Sequence, residues 1–158
     1  MEQSVQATAA SRAPGLNALA PIFVGGGLAG LFDLIAAFIV FGWGVPRAIA
    51  GGLLGPSAFE GGAGVWILGA ALHFFITIAA AAVYFVASLR LPFLRTHPLV
   101  CGLFFGIAVF LVMTLIVLPL SALNSAGPFR LEELIQGLLV HMFLVGLPIS
   151  YSVRYLCK

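Results

Sequence analysis

The 158-residue chain carries 7 Lys+Arg and 5 Asp+Glu, so 8% of its residues are charged, against about 25% in soluble domains. Hydrophobic residues make up 62% of the sequence, and the mean hydropathy is +1.18. A soluble globule of this size needs a mostly polar shell that so few charges do not provide. The composition therefore excludes a soluble enzyme and a disordered tail. A net charge of +2 offers no basic stripe for nucleic acid. What is left is a small polytopic membrane protein.

Residues 1–20 are polar and rich in Ala and Ser, with Glu2 and Arg12 as their charges. They read as a disordered cytoplasmic lead, followed by a single transmembrane domain over residues 21–158. Runs of about 20 apolar residues are read as helices, because backbone in hydrocarbon must satisfy its own hydrogen bonds. Four such runs occur, at about residues 21–43, 65–89, 99–121 and 134–155. Apolar residues come in blocks, not in the alternation of a β-barrel. The fold class is thus an all-α, four-helix transmembrane bundle. The first run is too long for a signal-peptide core and holds Asp33, which argues against a cleaved leader. Residues 45–54 are expected to lie at the interface, starting at Pro46, or to re-enter the membrane. Arg47 there would snorkel to lipid phosphates.

Four spans put both termini and the middle loop on one side, with Arg12, Arg90, Arg95, Arg154 and Lys158. The other side carries Arg47 and Arg130 with Glu60, Glu132 and Glu133. By the positive-inside rule both termini are cytoplasmic. Trp43 and Trp66 then mark the outer interface, Tyr84 and Tyr155 the inner. Cys101 and Cys157 fall near the cytoplasmic face, where thiols stay reduced, and read as apolar filler.

The two halves echo each other. Pro21 to Gly25 resembles Pro98 to Gly102 at an offset of 77, and the pair Gly26 and Gly30 matches Gly102 and Gly106 at 76. Pro46 matches Pro119 at 73, and Gly55-Pro56 with Glu60 matches Gly127-Pro128 with Glu132 at 72. Gly69 and His73 match Gly137 and His141 at 68. The pattern predicts two similar helical hairpins, duplicated in parallel. Gly26, Gly30, Gly102, Gly106, Gly69 and Gly137 are the expected helix-packing positions, since close approach drives association in lipid. Pro119 and Pro148 are expected to kink or end helices.

Taken in order, Trp43-Gly44-Val45-Pro46-Arg47, His73, Tyr84, Pro92, Gly102-Leu103-Phe104-Phe105-Gly106, Pro119-Leu120 and an acid before His141 make a further pattern. Across about residues 21–155 it resembles the YagU-like group of uncharacterised bacterial inner-membrane proteins. It departs from such proteins in lacking a long extra loop after the first span. The resemblance implies an inner-membrane location and a helical fold, and carries over no established activity.

An ionisable group at the bilayer centre costs about 2.5–3.5 kcal/mol even on lenient scales, which makes it a functional candidate. Asp33 falls about 15 Å below the outer interface and His73 about 12 Å, at 1.5 Å per residue. His141 lands at nearly the same depth. Gly26, Gly30, Asp33 and Ala37 form one helical stripe, and Gly69, His73 and Thr77 another. The expected intramembrane polar cluster is Asp33, His73, His141 and Thr77.

Several readings follow from it. In the first, each histidine simply locks two hairpins by bonding a carbonyl or Asp33, in a non-enzymatic membrane protein that is a homo-oligomer or a complex subunit. In the second, the cluster serves a proton- or ion-linked transporter or channel. A third reading is a redox subunit with haem b held between His73 and His141. A divalent metal on Asp33, His73 and His141 has the right ligand types but only three of them. The expected partners are the bilayer and the other chains of a homo-oligomer or membrane complex, and no catalytic constellation for an enzyme is present at the interfaces.

Overall fold

The computed structural model describes residues 16–124, 127 and 130–157. Of the expected lead over residues 1–20, residues 1–15 lie outside the described residues, as does the Pro128 of the expected repeat. Helix α1 (Leu16–Phe41) begins five residues before Pro21, so residues 16–20 are helical, where a disordered lead was expected. Then come α2 (Val45–Leu54), a 3₁₀ turn (Pro56–Glu60), α3 (Ala63–Arg90), the short α4 (Phe93–Thr96), α5 (Pro98–Leu120) and α6 (Leu131–Leu156). Helices α3, α5, α6 and the Leu19–Phe41 part of α1 are long and apolar enough to cross a membrane. Among the described residues there is no strand.

Only 17–33% of each span is buried within the fold, and large apolar side chains such as Ile39, Phe75 and Leu120 face outward. That is the inverse of a soluble bundle and the arrangement hydrocarbon requires. The sequence of contacts is α3–α1–α6–α5, with α1 packed against both α3 and α6 and α5 against α6. The core lies in the half of the bundle towards Arg90, where Ile22, Ala29, Tyr84, Phe85, Ile149 and Val153 cluster.

The expected glycines sit at the crossings. A methyl group added to Gly26 would lie 2.6 Å from the Cα of Ile78, and one on Gly30 would lie 2.7 Å from Thr77 Oγ1. Gly102 meets Ser150 and the Gly146 carbonyl, and Gly106 meets the His141 carbonyl and Met142. Gly69 abuts the Pro46 carbonyl of α2, and Gly137 the Phe110 ring of α5. Small residues here allow backbones to touch, which is where packing energy in lipid comes from.

Of the three prolines inside the long helices, Pro119 and Pro148 leave a signature, and Pro21 in α1 does not. A π-helical segment, Met113–Val117, directly precedes Leu118-Pro119, and another, His141–Gly146, precedes Leu147-Pro148. Proline has no N–H and its ring clashes with the carbonyl four residues earlier; widening the turn relieves the clash without breaking the helix.

At one end, Trp66 Nε1 donates to the Trp43 carbonyl at 3.0 Å, and Phe38 stacks on both indoles. Helix α2 packs on α3 with Pro46, Ala50 and Gly51 buried, and Ala122 N–H donates to the Gly52 carbonyl at 2.8 Å. Arg47 Nε donates to the Gly61 carbonyl at 2.8 Å, so its guanidinium ties the loop together, where free snorkelling was expected. At the opposite end, Arg154 Nη1 donates to the Arg95 and Thr96 carbonyls, each at 3.0 Å. Tyr84 belongs to the core and not to an interfacial belt: it is 1% exposed, with its hydroxyl donating to the Leu94 carbonyl at 2.9 Å.

Candidate functional site

Asp33 lies two turns inside α1, whereas Glu132 and Glu133 stand in the first turn of α6, and the fold surrounds Asp33 on two sides. On the α3 side, His73 Nε2 stands 3.8 Å from Asp33 Oδ2 and 2.9 Å from the Gly30 carbonyl. Asp33 and Gly30 are three residues apart, so one imidazole nitrogen reaches two groups on the same face of α1. The close α1–α3 crossing at Gly26 and Gly30 makes that reach possible. The imidazole is 11% exposed and rests edge-on against Phe74.

On the α6 side, Asp33 lines a cavity of about 150 Å³ with Ala37, Glu133, Gln136, Gly137 and His141. That volume holds a few waters at about 30 Å³ each. The wall on α1 runs from Asp33 to Phe41 and the wall on α6 from Glu133 to His141. The cavity therefore extends from the Asp33 level towards the Trp43 end, and none of its walls continues past Asp33 to the Arg90 end. His141 Nδ1 bonds the Gly137 carbonyl of its own helix at 2.8 Å, and its ring contacts Phe110 edge-on.

Asp33 thus bridges two environments: His73 lies on one side, and the cavity shared with His141 on the other. Thr77 is buried in the same crossing, but its hydroxyl donates to the Phe74 carbonyl of its own helix at 3.1 Å and does not line the cavity. Among the described residues, no group of three or more His, Cys, Asp or Glu side chains is arranged to hold a metal ion. For a haem between the histidines, His73 would have to give up the Gly30 carbonyl that its Nε2 holds.

Glu133 and Gln136 are site residues that the sequence reading left in a loop or did not name. The signal was there: Glu133, Gln136, Gly137, Val140 and His141 fall at i, i+3, i+4, i+7 and i+8, a single helical stripe. Compared with protein-family models, with curated proteins and with solved structures, the chain matches none.

Proposed function

We propose that this membrane protein carries a proton- or small-cation-linked site centred on Asp33, as a small transporter or channel component. The observation that carries the reading is Asp33 itself: it is within 3.8 Å of His73 and borders a polar-lipped cavity leading to one face of the bundle. A carboxylate next to an imidazole offers two groups that can each accept and release a proton, directly or through one water. The Glu133 carboxylate and Gln136 at the mouth supply the polar entry that such a path requires. Because the cavity stops at the Asp33 level, a single chain offers half of a path. The working unit in this reading is a homo-oligomer in which a second copy supplies the other half. The competing reading, a purely structural lock, uses the His73 bond to Gly30 and leaves the cavity without a role.

The orientation belongs to the same proposal. Arg90, Arg95 and Arg154 gather at the end opposite Trp43 and Trp66, which supports cytoplasmic termini in a bacterial inner membrane. The resemblance to the YagU-like group is consistent with that location and rests on the residues quoted above. We also infer that the two hairpins are duplicates. In support, Gly26 meets Ile78 while Gly102 meets Gly146, and Gly30 meets Phe74 while Gly106 meets Met142. These are the contacts that offsets of 76 and 68 would map onto each other.

The test is proton flux in liposomes containing a pH-sensitive dye, driven by a potassium diffusion potential. Wild type should acidify the lumen above the empty-vesicle rate, Asp33→Asn should return to that rate, and His141→Ala should fall between. Wild-type flux equal to empty vesicles for both protons and alkali cations would refute the proposal and favour the structural lock.

A further inference from the structure

Helices α3 and α5 touch where the Tyr84 and Phe105 rings meet, 4.9 Å between centroids, and stand apart beside that contact. Ala79, Ala80 and Ala108 are too short to bridge the gap, and an open cleft is left between the two helices. Towards the Arg90 end it is a groove of about 570 Å³ whose walls include Val83, Ala87, Phe93, Phe104 and Phe105. Val83 and Phe105 also border a second, wholly apolar stretch of about 420 Å³ that continues along Ala80 and Val109. From Val100 to Val117 the cleft follows α5 for about 26 Å at 1.5 Å per residue. One leaflet of a hydrocarbon core of about 30 Å is about 15 Å deep. The cleft is thus long enough to take one acyl chain along its whole length.

Its open end is polar and positive. His97 and Val100 line both the groove and an adjoining pocket of about 350 Å³, which Thr96, Tyr151, Arg154 and Tyr155 complete. Arg154 uses Nη1 on the Arg95 and Thr96 carbonyls, which leaves Nε and Nη2 as donors in the fork geometry that suits phosphate. Arg90 and Arg95 stand at the same end. The acids among the described residues, Asp33, Glu60, Glu132 and Glu133, lie in the other half of the fold or at its far end.

We propose that this corner binds one anionic phospholipid, with its phosphate held by Arg154 beside His97 and one acyl chain laid in the α3–α5 cleft. The apolar groove alone would accept any chain; the basic pocket joined to it, without an acid among the described residues that line it, selects the negative headgroup. The site is independent of Asp33 and stands or falls separately from the proton reading.

Native mass spectrometry of the detergent-purified protein tests it, with phosphatidylglycerol and phosphatidylcholine of identical chains added in turn. Wild type should retain a single phosphatidylglycerol about tenfold more than phosphatidylcholine, the ratio expected for a charge-assisted contact. Arg154→Gln should bring the two lipids level. Ala87→Trp, which fills the groove, should lower retention of both and keep their ratio. Inorganic phosphate at equal concentration should leave the adduct in place. Equal retention of the two lipids by wild type, or displacement by inorganic phosphate, would overturn the proposal without recourse to any variant. So would a lipid-independent two-chain species abolished by Ala87→Trp, since the cleft would then be covered by a second copy.

Discussion

Gly106→Ala is the most direct probe of the packing that holds the site. A methyl group there would press on the His141 carbonyl and come within 2.5 Å of the Met142 Cα. Carbon atoms rest at about 3.5–4.0 Å, so α5 and α6 must separate by about 1 Å. Both neighbours are backbone, which no rotamer change can move aside. Overpacking of this kind costs about 1–3 kcal/mol, and the better helix propensity of Ala returns about 1 kcal/mol at most. At Gly30 the nearest atoms belong to the Thr77 and Phe74 side chains, which can shift, so the cost is smaller. At Gly27 nothing lies within 4 Å, and the same change should be neutral or slightly stabilising. Unfolding free energies from dodecyl-sulfate titration in mixed micelles should rank the three variants Gly27→Ala, Gly30→Ala, Gly106→Ala in falling stability. The first and last should be separated by about 2 kcal/mol. If Gly27→Ala and Gly106→Ala agree within about 0.5 kcal/mol, the smallest difference separate sites support, the close-approach argument is wrong.

A double-mutant cycle on Asp33→Asn and His73→Leu should give a coupling of about 0.5–1.5 kcal/mol, the range of intramembrane polar pairs; strict additivity would mean that the 3.8 Å pair carries no interaction. Arg47→Ala removes the bond to the Gly61 carbonyl and should cost about 1 kcal/mol, with faster proteolysis between residues 55 and 62 as the readout. At the opposite end, burial pushes the Cys157 thiol above its ordinary range, and the Arg95 guanidinium opposes that shift. Less thiolate is then present at neutral pH than for a free cysteine, so maleimide labelling should be slow at pH 7 and quicken only in alkaline buffer. Arg95→Gln removes the opposing charge and should move the labelling midpoint further up; an unchanged midpoint would contradict it.

Much of this molecule is written in one dimension. Four apolar runs give four spanning helices because hydrocarbon leaves the backbone no other way to satisfy itself. Pro119 and Pro148 announce local distortion because a missing N–H is a property of the residue and not of its surroundings. The depth of Asp33, His73 and His141 also follows from helical rise alone. Which of them meet is another matter. Helix rotation decides that, and rotation depends on which glycine faces which neighbour across a crossing. Gly30 at Thr77 and Phe74 brings His73 to Asp33, whereas Thr77 turns to its own helix. Glu133 and Gln136 join the cavity because the start of α6 lies against the end of α1. The gap between α3 and α5 is equally invisible in the sequence: a run of alanines reads as apolar filler until the neighbouring helix is seen to stand off from it. Composition and hydropathy determine the solvent, the number of spans and the depth of each residue, because these depend on one helix at a time. Contact, cavity and cleft depend on pairs of helices, and only the tertiary structure sets those.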